Sequence, residues 1–189
     1  MKKFHAKEKT KIALNVLLTA FFLGAFVFAA NVAQARDKSN IQCAKDTAVA
    51  VVHTAAVGLG EILKDVRGEK RRMDIIRSFI GPIRFYADNT GYFYVYDYQC
   101  VNIAHAIDRK LPGKNLYNYR DAKGKFVIRE LSAAAKRGGG FVEYYWLKPG
   151  QRYEFRKIGY VEPIPGTNYF IGTGVYLPEW APVKPGDKR

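Results

Sequence analysis

The spacing of apolar residues divides the chain into a helical first half and a sheet-forming second half. From residue 41 onward, apolar side chains recur every three to four positions with one gap of seven, which is typical of a long amphipathic helix. Gly68 predicts a break, and the same period resumes in a shorter helix that ends between residues 81 and 86. The apolar positions are Ile41, Ala48, Val52, Ala55, Leu59, Ile62 and Val66 in the first helix and Met73, Ile76, Phe79, Ile80 and Ile83 in the second.

After Gly91 the pattern changes to short runs of valine, tyrosine and phenylalanine separated by glycine, proline and aspartate. Such runs predict an antiparallel sheet. A third helix is expected over 126–137, and the three glycines that follow it would end that helix at least conformational cost. The predicted strands are Tyr92–Asp97 and Val101–Ala106, which form a hairpin, then Gly140–Lys148, Tyr153–Pro163 and Tyr169–Tyr176.

The first 35 residues have the composition of a targeting segment. Five lysines fall within the first 11 positions, an almost wholly apolar stretch follows, and Ala33-Gln34-Ala35 supplies the small-x-small pattern of a signal-peptidase site. The alternative is an uncleaved anchor at 12–32, because this stretch approaches the roughly 20 residues that span a bilayer. Both interpretations place the remainder outside the cytoplasm, in the periplasm. It is expected to form one domain over 36–178, with helices in 39–86, a sheet in 91–176 and a flexible tail at 179–189.

The net charge of +14 makes the chain strongly basic, and it remains about +10 once residues 1–35 are removed. This surface attracts anions in general. The basic run at 69–72 lacks the interleaved aromatics of a strand-binding platform, so we interpret it as a solvated helix face and predict no nucleic-acid partner. Neither the histidines nor the cysteines have metal-ligand spacing, and no catalytic set is discernible. We therefore expect neither a cofactor nor enzymatic activity.

Two cysteines, Cys43 and Cys100, would both be exported to an oxidising compartment. A disulfide between them is the favoured prediction, and two free thiols are the alternative.

Six motifs follow one another in the second half of the chain: GYFYVYD at 91–97, IAH at 103–105, GKNL at 113–116, VEYYW at 142–146, RKIGYV at 156–161 and GTGVY at 172–176. In this order they resemble the single Cache domain of the second type, an extracytoplasmic ligand-sensing module of bacterial chemoreceptors and sensor kinases. The resemblance covers essentially the whole chain after residue 35. It implies an α+β, PAS-like fold in which a long N-terminal helix packs on a five- to six-stranded antiparallel sheet. It also implies a small organic acid as ligand, of the acetate, propionate, pyruvate or lactate class.

The resemblance also suggests which side chains bind that acid. A buried carboxylate needs a cation to offset its desolvation, and Lys157 stands where the family has its lysine. A solvent-facing strand lysine is the alternative. Arg84, just before the first motif, is a second candidate cation.

Aromatic residues are the candidate pocket wall. Tyr144 and Trp146 share one strand face and match the family's aromatic pair, although plain core packing would explain them equally well. His105 matches the family's strand-two histidine, as a hydrogen-bond donor, a pH-sensitive charge or a structural residue. Tyr92, Tyr94 and Tyr96 alternate on one strand, and Tyr94 is the preferred pocket residue. Gly91, Gly113, Gly172 and Gly174 are interpreted as backbone requirements.

Cys100 and Ala106 depart from the family pattern, which has a turn glycine near the first position and often a proline at the second. A receptor would continue into a second membrane span and an output module, whereas this sequence has 13 residues after Tyr176. We therefore expect a standalone ligand-binding protein that reports to a membrane receptor or sensor kinase. A homodimer through the long N-terminal helix is a further expected contact. The alternative is an envelope structural or interaction protein that keeps the fold without a working pocket.

Overall fold

A computed structural model describes residues 2–177, with side chains for residue 28 and for 31–177. The chain divides into two compact units, Met1–Gln42 and Cys43–Arg189. The predicted tail at 179–189 lies outside the described residues, as do nearly all side chains of the predicted signal segment. The elements in chain order are α1 (Lys2–Leu63), α2 (Glu69–Ile80), β1 (Tyr94–Asp97), β2 (Asn102–His105), α3 (Val127–Lys136), β3 (Gly140–Leu147), β4 (Glu154–Pro163) and β5 (Tyr169–Tyr176).

The five strands form one antiparallel sheet in the order β2-β1-β5-β4-β3. The predicted α+β class is confirmed, because a long N-terminal helix and a five-stranded antiparallel sheet are both present. Each strand and α3 agree with the predicted segments to within two residues at each end. Gly68 immediately precedes α2 and has a φ of 88°, a positive value that glycine adopts without steric cost, so the predicted break is also found.

Helices α1 and α2 cover one face of the sheet. The buried stripe of α1 follows the predicted period through Ala48, Val52 and Leu59. It then continues at Leu63, whereas Ile62 is 49% exposed. The cluster on this face includes Ile76 and Ile80 from α2 and, from the sheet, Phe93, Val95, Ile103, Ala104, Tyr169 and Ile171.

Within the described residues, Asn31–Leu63 is the one helical segment with the length and mean hydropathy to cross a membrane. Within the most apolar 18-residue stretch of this segment, 39% is buried inside the fold. A core helix of a folded domain and a signal sequence near the N-terminus share this length and hydropathy.

Helix α3 and the loop before it cover the opposite face of the sheet. A second apolar cluster lies here, and it contains Val127, Ile128 and Leu131 of α3 together with the inward tyrosines of β1. The sheet therefore separates a helix-packed core from a tyrosine-rich layer.

Cys43 and Cys100 are free thiols in this structure, so the predicted disulfide is not formed. Cys43 is exposed on α1, whose buried stripe packs on one face of the sheet. Cys100 is buried in the cluster on the other face. The two cysteines therefore belong to different layers of the fold.

Candidate functional site

Lys157 is the most unusual residue on the α3 side of the sheet, because its side chain is 0% exposed. It lies on β4 between Tyr144 of β3 and Tyr176 of β5, which are its cross-strand partners. Its Nζ lies 4.1 Å from the ring centroid of Tyr92, 4.6 Å from that of Tyr176 and 5.7 Å from that of Tyr94. The alternative of a solvent-facing lysine is therefore wrong.

The Lys157 ammonium has one hydrogen bond and no carboxylate partner among the described residues. Nζ donates to the Tyr92 hydroxyl over 2.9 Å. The Tyr176 hydroxyl donates its single proton to the Leu147 carbonyl over 2.7 Å. In the 3.3 Å contact between the Tyr92 and Tyr176 hydroxyls, Tyr92 is therefore the donor. Burial away from water holds the pKa of Lys157 well below its usual value, because desolvation penalises the charged form.

A second hydroxyl relay lies beside the first. The Tyr94 hydroxyl donates to the Thr173 carbonyl over 3.2 Å, and the Tyr144 hydroxyl lies 3.3 Å away and donates to Tyr94. Burial raises the pKa of both phenols, so they remain protonated donors at physiological pH.

Two glycines of β5 provide the space that these side chains occupy. A Cβ at Gly174 would lie 2.7 Å from Lys157 Cε and 2.7 Å from the Ile158 carbonyl oxygen. A Cβ at Gly172 would lie 2.7 Å from the Tyr94 ring. The expected backbone requirement is therefore only part of their role, because the missing side chains also let the lysine and the tyrosine lie flat on the sheet.

A small cavity lies between the sheet and α3. Its volume of about 10 Å³ gives room for about one water molecule. Lys157 does not line this cavity, although Tyr92, its hydrogen-bond partner, does. The lining residues are Tyr92, Tyr94, Tyr96, His105, Val127, Ile128, Leu131, Tyr144 and Trp146.

The structure therefore brings four of the predicted wall residues to one cavity. Tyr94 and Tyr144 are buried, and Trp146 is partly exposed at the rim, where its ring stands 5.1 Å from that of Tyr119. All three tyrosines of the first motif line the cavity, and Tyr92 alone contacts the lysine through its hydroxyl.

His105 lies in the cavity wall as a neutral imidazole. Its Nδ1 accepts hydrogen bonds from the backbone N–H groups of Asp108 at 2.9 Å and Ile107 at 3.4 Å, so the ring proton resides on Nε2. Burial, and to a lesser degree the positive charge of Lys157, lower the pKa of His105 to about 3. Of the three roles considered from sequence, the structural one agrees with these backbone bonds, the lowered pKa disfavours a charge on the ring near neutrality, and Nε2 keeps a proton to donate.

Arg84 does not line the cavity. Its guanidinium donates to the carbonyls of Gly81 and Ile83 at the end of α2, and to the Ala106 carbonyl just after β2. These three bonds tie the second helix to the sheet. The structure thus gives Arg84 a structural position rather than the direct ligand contact that was predicted.

Asn102 is a buried polar residue that sequence periodicity did not predict. The register of β1 against β2 pairs Tyr94 with His105 but Tyr96 with Asn102, so β2 contains one extra residue at this point. Ile103 and Ala104 consequently both face the helix-packed core. Strict alternation would place Asn102 and His105 on opposite faces, whereas the bulge pairs both of them with tyrosines that line the cavity.

Comparison with known proteins identifies the same kind of domain. A family model described as Cache domain, dCache_2, matches residues 26–181. The sensor histidine kinase MctS of Rhizobium johnstonii is 41% identical over 87 residues, which cover 46% of this chain and 19% of the kinase. The chain spans about a fifth of the length of the curated relatives that it matches.

Two solved structures resemble most of the described fold. One is a methyl-accepting chemotaxis protein from Vibrio parahaemolyticus, with 30% identity and a TM-score of 0.64, covering 75% of this chain and 94% of that one. The other is described as showing the structural basis for carboxylic acid recognition by a Cache chemosensory domain. It has 26% identity and a TM-score of 0.65, covering 75% of this chain and 98% of that one.

Proposed function

The chain belongs to the Cache domain family, and we propose that it is a periplasmic sensory domain that binds a small organic acid through Lys157. The proposed ligand is a short monocarboxylate of the acetate, propionate, pyruvate or lactate class. Its occupancy would be reported to a membrane receptor or sensor kinase.

The buried, unpaired ammonium is the observation that carries this proposal. An ammonium removed from water costs several kcal/mol unless a counter-ion or hydrogen-bond acceptors offset the loss. Lys157 has three N–H donors, and only the one bonded to Tyr92 has a partner in the described structure. A ligand carboxylate at this position would accept hydrogen bonds from the ammonium and neutralise the charge.

The surrounding tyrosines limit the size of that ligand. With room for about one water, the cavity excludes even a short acid unless a side chain moves. Tyr92 is the side chain whose movement would join the cavity to Lys157, because it lines the cavity and also accepts the lysine bond. We infer that the ligand carboxylate replaces the Tyr92 hydroxyl on Nζ, while Tyr144, Trp146 and His105 enclose the remainder of the acid.

The relatives support both halves of the proposal. The carboxylic-acid-recognising Cache domain supports the ligand class, and the chemotaxis protein and the histidine kinase support signalling at a membrane. Because the chain corresponds to a small part of the kinase, the output module would be supplied by a partner or by a segment of a longer protein.

A thermal-shift panel with acetate, propionate, pyruvate and lactate tests the proposal. A ligand that binds only the folded state at 100 times its Kd stabilises it by about 2.7 kcal/mol, which for a domain of this size raises Tm by about 5 to 10 °C. Lys157→Met should lose the shift. Lys148→Met, which removes the same charge from outside the cavity, should retain it. No shift with any acid at millimolar concentration would contradict the proposal and favour an envelope structural role.

A further inference from the structure

Two arginines and two aromatic rings form a stack where the preceding loop enters α3. The guanidinium carbons of Arg120 and Arg129 each lie 3.6 Å from the ring centroid of Phe126, and that of Arg129 also lies 3.9 Å from the ring centroid of Tyr117. We call these four residues the arginine stack. Its outer parts face solvent, because Tyr117 is 50% exposed and Arg120 is also exposed.

The two guanidinium groups lie on opposite faces of the Phe126 ring. Non-bonded carbon atoms approach to about 3.5 Å, so two groups this close to one ring centroid would overlap if they shared a face. The guanidinium carbons of Arg120 and Arg129 are therefore about 7 Å apart, with the ring between them.

Both guanidinium groups keep unused donors. Arg129 donates from Nε to the Tyr117 carbonyl and from Nη2 to Asn118 Oδ1, each over 2.7 Å. Arg120 donates from Nη1 to the Gly124 carbonyl over 2.7 Å. Because a guanidinium has five N–H donors, most of them have no acceptor in the part of the chain that the structure describes. Neither arginine forms an ion pair with a carboxylate there.

The surrounding segment supplies no counter-ion for the stack. Residues 109–137 contain nine lysines and arginines but only two carboxylates, Asp121 and Glu130. Asp121 is buried and accepts hydrogen bonds from the backbone N–H groups of residues 123, 125 and 145. Glu130 pairs with Lys125 over 3.3 Å. The positive charge of the two arginines is therefore left for a partner from outside the domain.

The geometry of the stack favours carboxylates that are held at a regular spacing. Backbone bonds and ring contacts already fix both guanidinium groups, so little side-chain freedom is lost when they bind. Each planar group matches a carboxylate with two parallel hydrogen bonds. Alternate residues of an extended strand stand about 6.4 to 6.8 Å apart on one side, close to the separation of the two guanidinium groups. Both faces of Phe126 are covered by arginine, so the ring has no free face on which a nucleic-acid base could stack.

We propose that the arginine stack binds an extended acidic segment of a partner protein, in which carboxylate side chains alternate with other residues. One carboxylate bonds to Arg120 and the next but one bonds to Arg129. An anionic membrane attracts basic residues according to their number and not their arrangement, so two fixed guanidinium groups favour a protein segment. This site is separate from Lys157 and requires no small acid.

Fluorescence anisotropy of a labelled peptide on the full chain tests the site. The peptide has four glutamates that alternate with serines, and no small acid is added. At an ionic strength of about 0.05 M, Arg120→Gln/Arg129→Gln should weaken binding about tenfold or more. The control Arg67→Gln/Arg71→Gln removes the same charge from exposed positions before and within α2, and should weaken binding less than about threefold. Arg120→Lys/Arg129→Lys keeps the charge without the planar groups, and should weaken binding about fivefold or more.

A second comparison needs no variant and so does not depend on how the variants fold. The wild type should bind the alternating peptide about threefold or more tightly than a peptide whose four glutamates are separated by three serines each. Equal affinities for the two peptides, or no binding of either, would overturn the proposal.

The remaining outcomes are equally decisive. Equal losses in the two glutamine double variants would show a general attraction of charge and overturn the site. A lysine double variant that binds like the wild type would overturn the assignment to paired guanidinium groups. Binding to phosphatidylglycerol vesicles without binding to the peptide would identify a membrane surface instead of a protein segment. The thermal-shift panel concerns the Lys157 site alone, so either proposal can fail without the other.

Discussion

Replacing Lys157 with methionine is expected to stabilise the ligand-free protein while abolishing carboxylate binding. Methionine keeps an unbranched side chain of similar length in the space above Gly174 and removes a buried charge. Acting against this gain are the loss of one hydrogen bond to Tyr92, worth about 1.5 to 3 kcal/mol, and of ring contacts worth about 0.5 to 2 kcal/mol each.

The lowered pKa of Lys157 indicates the sign of the change in the free energy of unfolding. Its pKa is held well below the usual value, with desolvation as the cause, so the charged form is less stable inside the fold than in water. Well-packed apolar side chains that replace buried charged groups of similar volume change stability by between about zero and 4 kcal/mol in the favourable direction, so we expect the free energy of unfolding to rise by about 1 to 2 kcal/mol at pH 7. For a domain of about 150 residues this corresponds to an increase in Tm of about 3 to 6 °C.

The pH dependence provides a second test of the same reasoning. Between the lowered folded pKa and the unfolded pKa of about 10.4, the unfolded chain holds a proton on Lys157 that the folded chain lacks. Wild-type stability attributable to this group therefore rises with pH, and the advantage of Lys157→Met should shrink from pH 6 toward pH 10. Differential scanning calorimetry of both proteins across this range measures it. A variant that melts several degrees below the wild type, with a difference independent of pH, would refute the desolvation argument.

Three further predictions concern neighbouring groups. Gly174→Ala should lower the free energy of unfolding by about 1 to 3 kcal/mol, because its Cβ meets backbone as well as Lys157; an unchanged urea midpoint would contradict this. At pH values above the lowered pKa of Lys157, carboxylate binding should take up protons because the ligand raises that pKa, so the calorimetric enthalpy should vary with the ionisation enthalpy of the buffer. His105, with a pKa lowered to about 3 chiefly by burial, is neutral near pH 7 in the ligand-free protein. Burial raises the pKa of Glu154, so wild-type stability relative to Glu154→Gln should increase as pH falls from 7 to 4; chemical denaturation showing a constant difference would exclude this.

The fold was largely predictable because local patterns and tertiary packing agree along this chain. The helical stripe and the alternating strands each bury one face, so the period of apolar residues identifies both the element and its buried side. The exception at the end of α1 involves Ile62 and Leu63, two adjacent apolar residues between which periodicity cannot choose. Leu63 is buried and Ile62 is half exposed.

The site was predictable only where side-chain alternation holds. Tyr144, Trp146 and His105 line one cavity as their strand positions predicted, and Lys157 lies beside it. Asn102 was missed because a single inserted residue in β2 reverses the alternation, and no local signal in the sequence marks that bulge.

Longer-range features of the site were also beyond the sequence. The Arg84 guanidinium is occupied by hydrogen bonds to three backbone carbonyls, two just after α2 and one just after β2. Sequence alone does not show that these segments meet at Arg84. Cys43 is exposed on α1 and Cys100 is buried in the cluster on the α3 side, and spacing along the chain does not reveal these positions.

A crystal structure of the protein with a bound small carboxylate tests the central claim most directly. We predict density for the acid with a carboxylate oxygen about 2.8 Å from Lys157 Nζ, and a Tyr92 hydroxyl displaced from its present 2.9 Å contact. An acid bound elsewhere on the domain, with the lysine still bonded to Tyr92, would contradict the account.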